Sequence, residues 1–98
     1  MTRSEESQAR HDELVKTLAR EYLDKGFVVK ADLEGYDRPG MIRGYEPDIV
    51  AFKGSQTKIV EVETEDTLKS ERDKGQQEAF RQEADENTNT TFKKRVAR

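Results

Sequence analysis

Three carboxylates fall where a β-hairpin would gather them. Asp48 lies in the run Pro47-Asp48-Ile49-Val50-Ala51-Phe52, and Glu61 and Glu63 lie in Lys58-Ile59-Val60-Glu61-Val62-Glu63-Thr64. Between Phe52 and Thr57 stand Lys53-Gly54-Ser55-Gln56, a hairpin-length loop containing glycine. With Phe52 opposite Thr57, Asp48 comes opposite Glu61, and directly opposed side chains share a face with Cβ atoms roughly 5 Å apart. Glu63, two residues on, points the same way. Like charges so placed repel, and a divalent metal ion between them is the natural remedy. Hard ions take oxygen ligands from one or two carboxylates and keep several waters. An ion held in this way can activate water and neutralise charge on a phosphate, which is what phosphodiester hydrolysis requires. The competing reading is the charged solvent face of an ordinary hairpin. Against it, Ile49, Val50, Ile59, Val60 and Val62 make this hairpin central, where an exposed acidic trio is uncommon. Asp48 and Glu61 are therefore the expected metal ligands.

The elements that must position these groups can be read along the chain. From about Gln8, Leu14, Val15, Leu18, Ala19, Tyr22 and Leu23 recur at helical spacing, and Gly26 ends the run. Residues 1 to about 8 read as a loose tail. Phe27-Val28-Val29-Lys30 is a strand by its β-branched and aromatic content. Residues 31–46 carry Gly35, Pro39, Gly40 and Gly44 without a period and read as a long loop, with a short strand conceivable at Met41-Ile42. After the hairpin, a helix is expected to about Ala84, capped by Thr67 or Ser70; Ser70-Glu71-Arg72-Asp73 fits a capping box. Leu68, Gly75 and Ala79 share a face of it, and small residues there permit close approach to a sheet. Thr90 to Val96 reads as a final strand.

This ordered set resembles the PD-(D/E)xK nuclease superfamily, which includes type II restriction enzymes, archaeal Holliday-junction resolvases and RecB-like nucleases. The match spans roughly residues 10 to 81: the first helix, Gly26-Phe27-Val28-Val29, the Pro47-Asp48 hairpin, Glu61-Val62-Glu63, and Gln76-Gln77-Glu78-Ala79-Phe80 in place of a Gln-x-x-x-Tyr helix motif. The resemblance implies a single nuclease-like α/β (α+β) domain with an αβββαβ core, its mixed sheet of about four strands flanked by helices. It also implies Mg²⁺ or Mn²⁺ as cofactor, held by Asp48, Glu61 and the backbone carbonyl of Val62. His11 or Glu13 would stand near the metal from the first helix, and Gln76, or Gln77 one register away, would help position substrate. The superfamily usually has lysine where this chain has Glu63. Glu63 could ligate a second ion or orient water as a base; alternatively Lys69, which the helical wheel sets nearer the sheet than Lys74, takes the missing lysine's role.

Composition bounds the reading. The 98 residues are 40% charged and 32% hydrophobic with a net charge of −3, which is unlike a typical nucleic-acid binder. The charge is unevenly spread, however: acids cluster from Glu61 to Asp73, and Lys93, Lys94, Arg95 and Arg98 end the chain. With no cysteine there is neither a disulfide nor a thiolate zinc site. No apolar run suits a signal peptide or a membrane span, so a cytoplasmic protein is expected. Arg38 and Arg43, interleaved with Tyr36 and Tyr45, and Lys93 and Lys94 are the expected nucleic-acid contacts. The expected partner is DNA, with RNA as the alternative, and so short a chain suggests a homodimer or a larger assembly. Two rivals to a metal-dependent nuclease remain: a non-catalytic nucleic-acid-binding or assembly module that keeps the fold, and a structural interaction protein.

Overall fold

The computed structural model describes residues 4–67 and 70–98. The first helix, α1, runs Glu5–Asp24 and so begins earlier than its apolar periodicity suggests. The reason is Ser4, whose side chain accepts the Ser7 N–H at 3.1 Å as an N-cap, with Glu5 and Glu6 placing negative charge at the positive end of the helix. Strand β1 (Val28–Ala31) follows the Gly26 stop. Strands β2 (Ile49–Lys53) and β3 (Gln56–Glu63) form the hairpin. Helix α2 spans Glu71–Glu86 and β4 spans Thr90–Val96. Of the two expected caps, Ser70 takes the role: its side chain accepts the Asp73 N–H and bonds the Asp73 carboxylate. The 32–46 region holds no strand beyond an isolated bridge between Ile42 and Tyr45.

The sheet order is β1-β2-β3-β4, antiparallel across the first three strands and parallel between β3 and β4. Two helices with this four-stranded mixed sheet make the α+β fold expected of a restriction-endonuclease-like core. Phe52 pairs with Thr57, as the loop length predicts, but Lys53 also pairs with Gln56, so the loop is tighter than the four residues expected. Only Gly54 and Ser55 turn the chain, and Gly54 adopts φ +59, a conformation glycine reaches without steric cost.

Alternation along the strands divides the core into two layers. Val60, Val62, Ile49 and Ala51 pack with Val15, Leu18 and Ala19 of α1. On the other face Phe80 of α2 is fully buried, its ring 5.8 Å from Phe92 and 6.5 Å from Tyr45. Such aromatic pairs contribute about 0.5–1.5 kcal/mol each beyond the area they bury. Strand β3 is covered on both faces, which is why its second half reads as continuously buried from Ile59 to Glu63. Gly75 does not serve close approach to the sheet: a Cβ there would lie 3.2 Å from the Tyr45 hydroxyl, so the missing side chain makes room for the 32–46 loop.

Candidate active site

The hairpin register carries Asp48, one residue before β2, to the position opposite Glu61. The two residues are locked by backbone donors. The Asp48 N–H donates to Glu61 Oε1 at 3.1 Å, and the Val62 N–H donates to Asp48 Oδ2 at 2.8 Å. Each helix then contributes one side chain. From α1, His11 Nε2 lies 3.1 Å from Asp48 Oδ1 while its Nδ1 lies 3.0 Å from Asp12 Oδ1. A ring facing carboxylates through both nitrogens can donate to both only as imidazolium. From α2, the Gln76 amide donates to Glu61 Oε2 at 2.6 Å and reaches the Glu46 carbonyl at 3.4 Å. The apolar stripe of α1 and the sheet-facing side of α2 thus deliver His11 and Gln76 to the same two acids from opposite layers.

The electrostatics of the pair are uneven. Burial, then the charge and hydrogen bond of Asp48, push the Glu61 carboxyl up to about 10, with Glu63 adding to the rise. Asp48 is pulled the other way. Burial is its largest influence and raises it, but hydrogen bonds from His11 and Glu61, the His11 charge and the Val62 N–H together hold it below the usual carboxylate range. The two acids therefore lean opposite ways, Glu61 toward its protonated form and Asp48 toward the carboxylate. Among the described residues no lysine or arginine forms an ion pair with either acid.

Glu63 does not join them as a third ligand facing open space. It is 1% exposed, and its Oε2 accepts the Thr67 hydroxyl at 2.9 Å. Among the described residues no three His, Asp or Glu side chains form a metal-ion cage, and Glu63 bears on the other two acids through its charge on Glu61. The pair still suits a hard divalent ion. Two facing carboxyl groups offer the oxygen ligands that such an ion takes, the ion displacing a proton and waters completing its shell.

Asp48 opens, with 13% of its side chain exposed, onto a depression of about 710 Å³ bordered by His11, Asp12, Asp32, Tyr36 and Arg38. Arg38 is shared between Glu46 and Asp32 at the rim. Arg43 sits apart, ion-paired with Glu83 and Glu86 of α2, so its charge is already engaged within the chain. Glu13 is not at the site; it lines a separate depression of about 620 Å³ with Lys16, Arg20 and Tyr36. Gln77 and Lys74 border another surface hollow beside Arg81. Lys93 and Lys94 are exposed on β4, in register with Val60 and Glu61. Lys69 lies outside the described residues.

A family model described as REase_AHJR-like, for restriction-endonuclease-like proteins, matches residues 2–93. The chain belongs to this restriction-endonuclease-like family. No curated protein and no solved structure gives a match. Membership in a restriction-endonuclease-like family points to nuclease-type chemistry on nucleic acid and to a group that usually depends on metal. Among the described residues no helix is long and apolar enough to cross a membrane.

Sequence reasoning missed four groups around this restriction-endonuclease-like site: Asp12, Ser7, Asp66 and Thr67. Reading the first eight residues as a loose tail passed over the Ser4 cap, whose signal is a serine before the acidic pair Glu5-Glu6. Asp66 carried no local signal, because its partners Ser4 and Ser7 lie some sixty residues away in sequence.

Proposed function

We propose that this protein hydrolyses phosphodiester bonds in DNA with Mg²⁺ or Mn²⁺ held by Asp48 and Glu61. The observation that carries the reading is the buried Asp48–Glu61 pair, braced by His11 and Gln76 at the mouth of a polar depression. When bound, the ion would supply an activated water and neutralise phosphate charge. The protein's own share is preorganisation. Backbone N–H groups of Asp48 and Val62 fix one oxygen of each carboxylate, the Gln76 amide fixes the other Glu61 oxygen, and His11 holds Asp48 against its neighbour. Arg38 would meet a phosphate entering the depression, and Lys93 and Lys94 would meet the strand flanking it. The burial of Glu63 against Thr67 supports a holding role for it and makes Lys69 the residue to test for activation of water.

The test is a cleavage assay on single-stranded, duplex and branched DNA with Mg²⁺ and Mn²⁺. Cleavage should vanish in Asp48→Ala. Lys69→Ala should slow it far more than Lys74→Ala, whereas a severe Glu63→Gln defect with a silent Lys69→Ala would assign the role to Glu63. A second reading, a binding module that keeps the fold without turnover, is favoured by Glu63 at the usual lysine position; metal-independent DNA binding without any cleavage would establish it.

A further inference from the structure

The turn that follows Glu63 reaches back to the start of α1. The Asp66 carboxylate accepts the Ser4 N–H at 2.8 Å through Oδ2 and the Ser7 hydroxyl at 3.0 Å through Oδ1. Ser7 is 1% exposed, its own N–H is held by the Ser4 side chain, and its hydroxyl also receives Arg10 at 3.3 Å. One turn further along the same buried face stands His11, the residue against Asp48. The other end of the turn is fixed as well: the Thr67 hydroxyl donates to Glu63 and receives the Thr64 N–H at 3.2 Å. The contacts form a closed circuit. It runs from Glu63 through Thr67 and Asp66 to Ser7, along one helical turn to His11, and back through Asp48 to β3 by way of the Val62 N–H.

We propose that Asp66 is a positioning residue: by clasping Ser4 and Ser7 it sets the axial register of α1 and so holds His11 on Asp48. The physical case is that α1 otherwise meets the sheet through side chains such as Val15, Leu18 and Ala19, and apolar packing is not directional. Hydrogen bonds to a carboxylate from a backbone N–H and a buried hydroxyl are directional and charge-assisted, and they fix the helix along its own axis. The hydrogen bonds of the Asp66 carboxylate go to Ser4 and Ser7, so its hold on the site passes through the helix. The inference rests on the proposed function only for its consequence in catalysis; its structural core can be read without any substrate.

The chain has a single histidine, so the His11 imidazole can be followed without ambiguity by proton–nitrogen NMR at fixed pH. Asp48→Asn calibrates the shift produced by weakening the His11 contact directly. Asp66→Ala should move the imidazole signals in the same direction, and Asp66→Asn, which keeps an acceptor oxygen, should move them less. Ser70→Ala, which removes the equivalent cap of α2, is the control: it loosens the fold without touching the clasp and should leave the imidazole signals in place. If cleavage is present in the wild type, Asp66→Ala should lower kcat by about tenfold to a hundredfold with KM little changed, as expected of a misplaced rather than a missing group. Imidazole signals in Asp66→Ala that match the wild type, or that move no more than in Ser70→Ala, would overturn the proposal. A wild type that cleaves nothing would remove the proposed function while leaving the NMR outcome to decide the clasp.

Discussion

Asp48 and Glu61 are tied through the backbone of facing strands: the Asp48 N–H donates to Glu61 Oε1 at 3.1 Å, and the N–H of Val62, next to Glu61, donates to Asp48 Oδ2 at 2.8 Å. The backbone donor favours an ionised Glu61, but burial and the Asp48 charge favour the protonated form and outweigh it. The metal-free protein therefore keeps a carboxyl with a raised pKa at its centre.

The first consequence is a pH dependence of stability. Glu61 rises on folding from an ordinary 4.5 to about 10, so folding takes up a proton between those values. Stability should fall as pH rises through that window, because the unfolded chain binds fewer protons there. Asp48 acts in the opposite sense: its carboxyl is held low, so its contribution is present above its ordinary 3.8 and is lost in acid. Urea melts of the metal-free protein should show the alkaline decline, and Glu61→Gln should flatten it. An unchanged slope in that variant would contradict the assignment.

Ion binding should release protons. With burial and the Asp48 charge raising its carboxyl to about 10, Glu61 should hold at pH 7 a proton that a divalent ion displaces, so about one proton should leave per ion bound. Calorimetric titration with Mg²⁺ or Mn²⁺ in buffers of different ionisation enthalpy measures this number directly. Asp48→Asn and Glu61→Gln should each lose most of the affinity while remaining folded. Equal affinity in all three proteins would rule the pair out as the ion's seat.

Gln76 is the only described side chain that bonds Glu61 Oε2, at 2.6 Å. Gln76→Ala leaves that oxygen without its amide donor, at a cost of about 1–2 kcal/mol in stability. Side chains that orient a ligand are typically worth 10–100-fold in metal affinity or activity, and a loss of about that size is expected here. Calorimetry and the cleavage assay should agree on it, whereas Gln77→Ala should change neither.

The Tyr45 hydroxyl and Gly75 should be energetically coupled. Glycine inside a helix costs about 1 kcal/mol relative to alanine. In the wild type that gain from Gly75→Ala is opposed by the 3.2 Å approach of the new Cβ to the Tyr45 hydroxyl. In a Tyr45→Phe background the obstruction is gone, and the substitution should stabilise by nearly the full amount. A double-mutant cycle in urea reads the difference; strict additivity would show that the loop yields freely.

Local pattern was sufficient wherever one element decided its own fate. The alternation in β2 and β3 and the short connection between them set the register, so Asp48 opposite Glu61 was legible. His11 lies one helical turn before Val15, on the face that α1 buries, and the family resemblance pointed to it and to Gln76. Reasoning from local pattern ended where the answer depended on distant segments. Glu63 shares a face with Glu61 by strand periodicity, but whether it meets solvent depends on the turn above it, where Thr67 claims its carboxylate. Arg43 looked available for phosphate in a loop rich in glycine, yet Glu83 and Glu86 on α2 engage it across forty residues of sequence. Gly75 looked like a contact for the sheet because its real neighbour, Tyr45, comes from a loop without periodicity.

The two-residue turn at Gly54-Ser55 also limits how this protein can vary in length. Twelve residues separate Asp48 from Glu61, and pairing counts them in both directions from the turn. One residue added within either strand would turn one acid to the opposite face. Two added residues would restore the face but carry the acid roughly 7 Å along the strand, away from its partner. The hairpin is thus closed to insertion. The 32–46 loop lies outside that count, and its tip at Met41 is solvent-exposed. A tag, a fluorophore or a grafted recognition segment belongs there, where added length leaves the spacing of the carboxylates untouched.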